Sequence, residues 1–341
     1  MNIAGRIVRI DPGAGIPGGE VAIECEKFDT GYLRSCRALF ETASAHLVGV
    51  SARRLLAIVP DLNVGGSVEV LLETKGERGE AKSFISGRKL AEDLHPVANP
   101  AFDPDDGSLY VTRSGSRGQE LPVTIFRIEA DGSIAEFSGD ITNPTGIAFN
   151  KSGEMFVTSR MDGSVYRVTA FKEAVPFALN LGVATGLAFD KEDRMYVGDR
   201  TGTIYRLNSI GEARPFAQLE ASVSAYHLAF GPDDALYVTG PTVSSYDAVM
   251  RIDGSGRPAV FYRGLGRPQG LAFDVEGNLY VAASVRGRRG IVRITPDGRE
   301  AEMAVAGMNL VGLAFNATGD MVVATNEAVY RLPLGIRGTL L

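Results

Sequence analysis

Three arginines and one aspartate lie at the ends of similar apolar segments of this 341-residue chain, and they are its clearest candidates for chemistry. Arg113, Arg160 and Arg200 each follow a short apolar run of the Leu-Tyr-Val-Thr type, and Asp199 directly precedes Arg200. A guanidinium binds a carboxylate or a phosphate through paired hydrogen bonds, so a cluster of these arginines would bind an anion. Each arginine is also consistent with a surface ion pair or a loop residue that faces water.

A second candidate is the sequence Tyr226-His227, which precedes the apolar segment Leu-Ala-Phe. An imidazole at this place is able to act as a general base or to contact a ligand. The alternative is that the ring fills a packing gap. His46 and His95 have no partners that the sequence identifies.

Other classes of site are poorly supported by the composition. Two cysteines are too few for a disulfide framework or a cysteine-based zinc site, and three histidines argue against most His-rich metal sites and catalytic triads. Cys25 and Cys36 are expected on adjacent strands, where they would form a disulfide after export or remain thiols in a reducing cytosol.

Charge and hydropathy limit the partners. The net charge is −6 without a basic block, which argues against nucleic acid. No segment approaches the roughly 20 apolar residues that span a bilayer. The start of the sequence lacks a basic patch followed by an apolar run, so we predict no signal peptide and a cytoplasmic location, with export not excluded.

A sixfold internal repeat predicts the elements that position these residues. Segments of the type Gly-Leu-Ala-Phe recur at spacings of 47, 40, 41, 43 and 42 residues. A period near 40–50 residues, with about four short strands per unit, is typical of propeller blades. The anchor phenylalanines are Phe102, Phe149, Phe189, Phe230, Phe273 and Phe315.

Aligning the six units places three rings of residues where the first strand of each blade begins and the second ends, and we call this end of the channel the upper mouth. The first ring is Ala98, Thr145, Thr185, Tyr226, Gln269 and Val311; the second is Arg113, Ser159, Asp199, Gly240, Ala283 and Thr325; the third is Ser114, Arg160, Arg200, Pro241, Ser284 and Asn326. The predicted ligand-binding residues are Arg113, Thr145, Arg160, Thr185, Asp199, Arg200, Tyr226, His227 and Gln269.

The repeats, of the form Pro-x-Gly-Leu-Ala-Phe-Asp followed by Asn-Leu-Tyr-Val-Ala, resemble the NHL-repeat and SMP-30/gluconolactonase-like six-bladed propellers over residues 95–334. The resemblance implies a lactone hydrolase with a divalent cation, such as calcium, held at the mouth by Glu, Asn and Asp. Here only Asp199 matches an acid position. The Asn positions are occupied by Thr145, Thr185, Tyr226, Gln269 and Val311, so the expected calcium site is weak.

Residues 1–88 lack the repeat but contain short alternating apolar runs separated by glycine-rich corners, which predicts a small β-sandwich. The order Asp-Pro-Gly, Pro-Gly-Gly-Glu-Val and Gly-Gly-Ser-Val-Glu-Val resembles an IPT/TIG immunoglobulin-like domain. The predicted fold is therefore all-β, with this domain at 1–88 and a six-bladed propeller at 89–341. We expect residues 86–95 to be a linker, and the ring to be closed by the tail 335–341, which we favour, or by 81–87.

Three functions fit these observations. The first is a recognition module whose propeller mouth binds a small anionic molecule or a protein segment. The second is a metal-dependent lactonase-like hydrolase with a divergent site, and the third is an inert scaffold for protein–protein interaction. Whether the chain is an enzyme, and its oligomeric state, stay open at this point.

Overall fold

The computed structural model describes residues 5–26, 28, 35–115, 119–129, 131–244 and 246–339. Within these ranges the regular structure consists of β-strands and there is no α-helix, so the all-β prediction is confirmed. It follows that this part of the chain has no helix long and apolar enough to cross a membrane.

The N-terminal strands form two sheets, ordered β1-β3-β7-β6 and β2-β10-β8-β4-β5, with β9 paired to β8. Buried side chains from both sheets, including Ile23, Leu55, Val70 and Leu72, share one core. The strands are β1 (Arg6–Asp11), β2 (Ala14–Gly15), β3 (Glu20–Glu26), β4 (Cys36–Phe40), β5 (Ala43–Ser44), β6 (His46–Val50), β7 (Arg54–Ile58), β8 (Gly66–Thr74), β9 (Glu77–Arg78), β10 (Lys82–Ser86) and β11 (Arg88–Ala91).

Six four-stranded blades follow, and each of the six repeats supplies most of one blade. Contacts between successive inner strands, including the first with the last, close the ring. The blades comprise β12 (Ala101–Phe102), β13 (Leu109–Thr112), β14 (Ile125–Ile128) and β15 (Ile134–Ser138); β16 (Pro144–Phe149), β17 (Met155–Ser159), β18 (Ser164–Val168) and β19 (Ala174–Ala178); β20 (Ala184–Phe189), β21 (Met195–Asp199), β22 (Thr203–Leu207) and β23 (Ala213–Gln218); β24 (His227–Phe230), β25 (Leu236–Thr239), β26 (Asp247–Ile252) and β27 (Pro258–Leu265); β28 (Leu271–Phe273), β29 (Leu279–Val285), β30 (Arg288–Ile294) and β31 (Ala301–Ala306); and β32 (Leu310–Phe315), β33 (Met321–Thr325) and β34 (Val329–Leu332) with β11.

The second strands of the blades are buried on both faces, because each blade is stacked between two others. Every residue of β13, β21 and β33 is buried. A strand covered on both sides has an almost continuous apolar sequence, which is the Leu-Tyr-Val pattern of the repeats. Aromatic rings join the blades: Tyr196, for example, packs edge-to-face against Phe230 of the next blade, with ring centroids 5.0 Å apart.

The sixth blade takes its outer strand from the N-terminal side of the chain, and this corrects two of our predictions. β11 pairs antiparallel with β34, with Arg88 opposite Arg331 and Lys89 opposite Tyr330. The expected linker therefore contains the closing strand. Segment 81–87 mostly forms β10, which belongs to the N-terminal sheet, and the favoured tail lies elsewhere. Ala91 is buried in a cluster shared by the sixth and first blades, which gives β11 its place.

The N-terminal sheets are continuous with the fifth blade. β2 pairs in parallel with β31 through Gly15 and Ala306, so one ten-stranded sheet runs from the blade into the N-terminal region. Gly19 permits this approach, because a Cβ atom there would lie 2.5 Å from the carbonyl oxygen of Ala306. Arg288 adds an ion pair with Asp11 at 2.5 Å.

The two cysteines lie in different N-terminal sheets, which corrects the expectation that they occupy adjacent strands. Cys25 is on β3 and Cys36 is on β4, and the two buried thiols are not joined by a disulfide. Burial raises the pKa of Cys25 to about 11, so its reactive thiolate form is disfavoured.

Candidate functional site

The predicted residues of the upper mouth differ in exposure. Arg160 and Arg200 are exposed, whereas Arg113 and Gln269 are half-buried. The remaining predicted residues are buried: Thr145, Thr185, Asp199, Tyr226 and His227. The side chains that solvent reaches most readily are therefore the two cations.

Arg160 and Arg200 lie near enough to repel one another. The pKa of Arg160 is lowered first by burial among surrounding protein atoms and then by the positive charge of Arg200. Solvent still reaches part of the Arg160 side chain, so Arg160 is partly surrounded by protein and partly exposed. The Nη2 atom of Arg160 donates to the carbonyl of Gly115 at 3.4 Å, so its guanidinium reaches the loop that follows Arg113.

No acidic side chain in the described part of the chain forms an ion pair with Arg160 or Arg200. Arg113 contributes a buried Nε atom that has no hydrogen-bond partner among the described residues. Residues 116–118 of the neighbouring loop, including Arg117, lie outside those residues. Two adjacent cations without an acidic partner are chemically suited to share an anion.

Asp199 has a structural role in the turn that it begins. Its Oδ1 atom accepts hydrogen bonds from the amides of Val183 at 2.8 Å and Thr201 at 3.2 Å. The hydroxyl of Thr201 donates to Oδ2. The carboxylate thus ties the entrance of β20 to the turn after β21.

Calcium does not fit this donor set. The ion takes six to eight oxygen ligands, several of them charged. Asp199 is the only predicted carboxylate at the mouth, and both its oxygens already accept hydrogen bonds. Among the described residues no group of three or more His, Cys, Asp or Glu side chains is placed to hold a metal ion.

The threonines of the mouth connect blades. Thr185 donates to the carbonyl of Gly198 at 2.9 Å and accepts from the amide of Tyr226 at 3.1 Å. Thr112 similarly donates to the carbonyl of Thr145 in the next blade at 3.0 Å. Thr145 itself has a buried hydroxyl without a partner among the described residues. These hydrogen bonds hold the inner strands in register beneath the arginines.

Tyr226 and His227 are consecutive but have different surroundings. Tyr226 packs toward the third blade and donates its hydroxyl to the carbonyl of Glu220. Burial, then the nearby charges of Glu220 and Asp199, raise its pKa to about 12. A Cβ atom at Gly240 would lie 2.6 Å from the Tyr226 ring, so the glycine makes room for this ring.

His227 lies deeper, on the channel wall below the upper mouth. Burial lowers its pKa to about 4, against the smaller opposing effect of a hydrogen bond with the Gln269 side chain. The imidazole is therefore neutral at pH 7.

Asn99 is the counterpart of His227 in the ring, and the sequence analysis did not identify it. It occupies the ring position of His227 in the opposite blade, where the other four blades have glycine. Its side-chain amide donates to the carbonyl of Leu271 at 2.9 Å and accepts from the amide of Leu313 at 3.1 Å. Alignment of the six repeats places Asn99 and His227 where the other four units have Gly146, Gly186, Gly270 and Gly312, and this departure from the repeat was the available signal for Asn99.

Solved structures of similar fold support the propeller assignment. A candidate gluconolactonase is 18% identical with a TM-score of 0.63, covering 75% of this chain and 94% of its own. A gluconolactonase of Xanthomonas campestris is 17% identical with a TM-score of 0.58, covering 73% and 89%. An auxiliary nutrient binding protein of Bacteroides thetaiotaomicron is 14% identical with a TM-score of 0.57, covering 97% and 98%.

Identities this low establish the class of fold, a gluconolactonase-like propeller, and no activity. The likeness to the nutrient binding protein extends over the N-terminal sheets as well. No protein-family model matches the sequence, and no curated protein matches it either.

Proposed function

We propose that this protein is a binding module that holds a small anionic molecule at the upper mouth of its propeller. The observation that carries the proposal is the proximity of Arg160 and Arg200, two cations without a described acidic partner. An anion between them would relieve their repulsion and accept charge-assisted hydrogen bonds, each stabilising by about 1.5–3 kcal/mol. Arg160 also reaches the loop that follows Arg113, where it donates to the carbonyl of Gly115.

A small molecule is favoured over an acidic protein segment because burial among protein atoms contributes to the lowered pKa of Arg160, which indicates that its guanidinium is partly surrounded. A protein segment that places one acidic side chain between the two arginines is the variant of this proposal that a peptide titration would reveal.

The first test is calorimetric titration with citrate and with inorganic phosphate. Replacing Arg200 with glutamine removes one charge and one pair of hydrogen bonds, so we expect Kd for the anion that binds to rise about tenfold or more. The matched control is Arg214→Gln, which makes the same change on the outer strand β23 and is expected to leave Kd unchanged. Equal effects of both variants, or no anion binding at all, would contradict the proposal.

The alternative function is a metal-dependent lactone hydrolase with a divergent site. Its support is the likeness in fold to gluconolactonases, and Asp199 would be its acidic ligand. The poor fit of the oxygen donors to calcium favours the binding module instead.

Calcium titration separates the two functions. We expect metal-stripped protein to give no binding heat with millimolar CaCl2, because Asp199 is already occupied by two amides and a hydroxyl. Asp199→Asn is expected to lower the free energy of unfolding by about 1 kcal/mol through weaker hydrogen bonds, with no change in the calcium experiment. Calcium binding that is lost in Asp199→Asn would support the hydrolase.

For the N-terminal region we propose an immunoglobulin-like domain of the IPT/TIG type, acting as a spacer or docking unit. Its support is the pair of facing sheets with a shared core. The parallel pairing with the fifth blade and the ion pair between Asp11 and Arg288 would keep this unit fixed on the propeller. A role as a scaffold for another protein is compatible with this arrangement.

A further inference from the structure

A cavity lies inside the channel, below the upper mouth. It measures about 520 Å3 and is lined by the inner strands of all six blades. Three apolar positions repeat around it, one per strand. They are the ring Pro100, Ile147, Leu187, Leu228, Leu271 and Leu313, the ring Ala101, Ala148, Ala188, Ala229, Ala272 and Ala314, and the ring of the six anchor phenylalanines.

The cavity ends where the inner strands approach one another most closely. A Cβ atom at Gly270 would lie 2.5 Å from the Cα atom of Gly312, and a Cβ atom at Gly312 would lie 2.6 Å from the Cα atom of Asn99. The side chain of Asn99 crosses this level and bonds to the backbone of the fifth and sixth blades. Asn99 therefore separates the cavity from the arginines of the upper mouth.

His227 is the titratable group at this closed end. Its exposed fraction is 2%, and its Nε2 atom has no hydrogen-bond partner among the described residues. A buried polar group without a partner costs about 1–3 kcal/mol. The other blades have glycine or the hydrogen-bonded Asn99 at this position, so a buried Nε2 atom without a described partner is peculiar to the fourth blade.

The opposite end has a polar rim and is the lower mouth. It includes Asp103, Lys151, Asp193 and Asn316 from the turns between first and second strands. The C-terminal tail reaches the same rim, where the amide of Thr339 donates to the carbonyl of Phe273 at 3.0 Å. A ligand would enter here, past charged groups, into an apolar interior.

We propose that the channel binds a small, elongated and largely apolar molecule that enters by the lower mouth and places one uncharged hydrogen-bonding group, such as a hydroxyl, at the imidazole of His227. The volume falls in the usual range for small-molecule sites, which are mostly apolar with a few placed polar groups. The apolar surface that stays accessible in the channel, chiefly that of the mostly half-buried alanine ring, supplies the burial that drives binding. An ionised end group is excluded from the closed end because no cationic side chain lines it.

The probe is octan-1-ol, with octanoate as its charged counterpart, followed by NMR of the histidine side chains at pH 7. We expect octan-1-ol to shift the imidazole resonances of His227 saturably while those of His46 and His95 stay unchanged. Octanoate at the same concentration should leave His227 unaffected. A channel that holds only water would give no saturable shift with octan-1-ol, and this result would overturn the proposal.

Ala314→Phe tests the location, because Ala314 lines the cavity and lies outside the buried clusters between blades. The larger ring would fill the channel, and we expect Kd for octan-1-ol to rise at least about tenfold. The control Arg214→Gln, on the outer strand β23, should bind the alcohol as the wild type does. Unchanged affinity in a folded Ala314→Phe protein would place the alcohol elsewhere and overturn the proposal, and if that variant does not fold, the wild-type titration still decides.

Discussion

Replacing Gly312 with alanine is expected to destabilise the protein by about 3 kcal/mol. A Cβ atom at this position would lie 2.6 Å from both the carbonyl oxygen of Ala98 and the Cα atom of Asn99. Both are backbone atoms at the junction where the sixth blade meets the first, so neither is able to move without shifting an inner strand. Overpacking a rigid site typically costs 1–3 kcal/mol and occasionally more.

Equilibrium urea unfolding measures this effect, with Gly254→Ala as the matched control. Gly254 lies in a turn, has no neighbouring atom within 4 Å and does not adopt a positive φ. Its replacement should leave the midpoint unchanged or slightly raised, since alanine reduces the entropy of the unfolded chain. If Gly312→Ala had the same midpoint as Gly254→Ala and the wild type, this would contradict the close approach of the inner strands where the sixth blade meets the first.

Acidification is expected to destabilise the fold through His227 by up to about 3 kcal/mol. Burial lowers the pKa of His227 from 6.5 to about 4. Above pH 6.5 the imidazole is neutral in both states and has no effect. Between pH 6.5 and 4 the unfolded chain binds a proton that the folded protein does not, so the free energy of unfolding falls as the pH falls.

The readout is the difference between wild type and His227→Leu, because carboxylates also titrate in this range. Leucine fills a similar volume and does not titrate, so the pH dependence of its unfolding free energy should be shallower between pH 6.5 and 4. His46→Gln, at an exposed position of β6, should retain the wild-type slope. Parallel curves for wild type and His227→Leu would show that the buried imidazole is not coupled to folding.

The blades could be predicted from the sequence because their determinants are local and repeated. Each unit has its own anchor phenylalanine and its own doubly buried second strand, and six copies of one pattern leave few other folds. The same alignment placed Arg160 and Arg200 at equivalent positions of neighbouring blades, which is why their proximity could be anticipated.

The features that the sequence did not reveal depend on distant contacts. β11 closes the ring by pairing with a strand more than two hundred residues away, and its sequence Arg-Lys-Leu-Ala has no feature that distinguishes it from a linker. Thr201 and the amide of Val183 occupy the carboxylate of Asp199, which composition at the mouth does not show. Asn99 crosses the channel to two other blades, so its role appears only once the ring is assembled.

A crystal structure of the protein with citrate is the most direct test of anion binding at the upper mouth. The proposal predicts one citrate at the upper mouth, with carboxylate oxygens within about 3 Å of the guanidinium nitrogens of Arg160 and Arg200. It also predicts that the carboxylate of Asp199 keeps its bonds to Val183 and Thr201. A mouth without citrate in a crystal that holds it elsewhere, or a calcium ion bound to Asp199 from the same solution, would contradict the proposal.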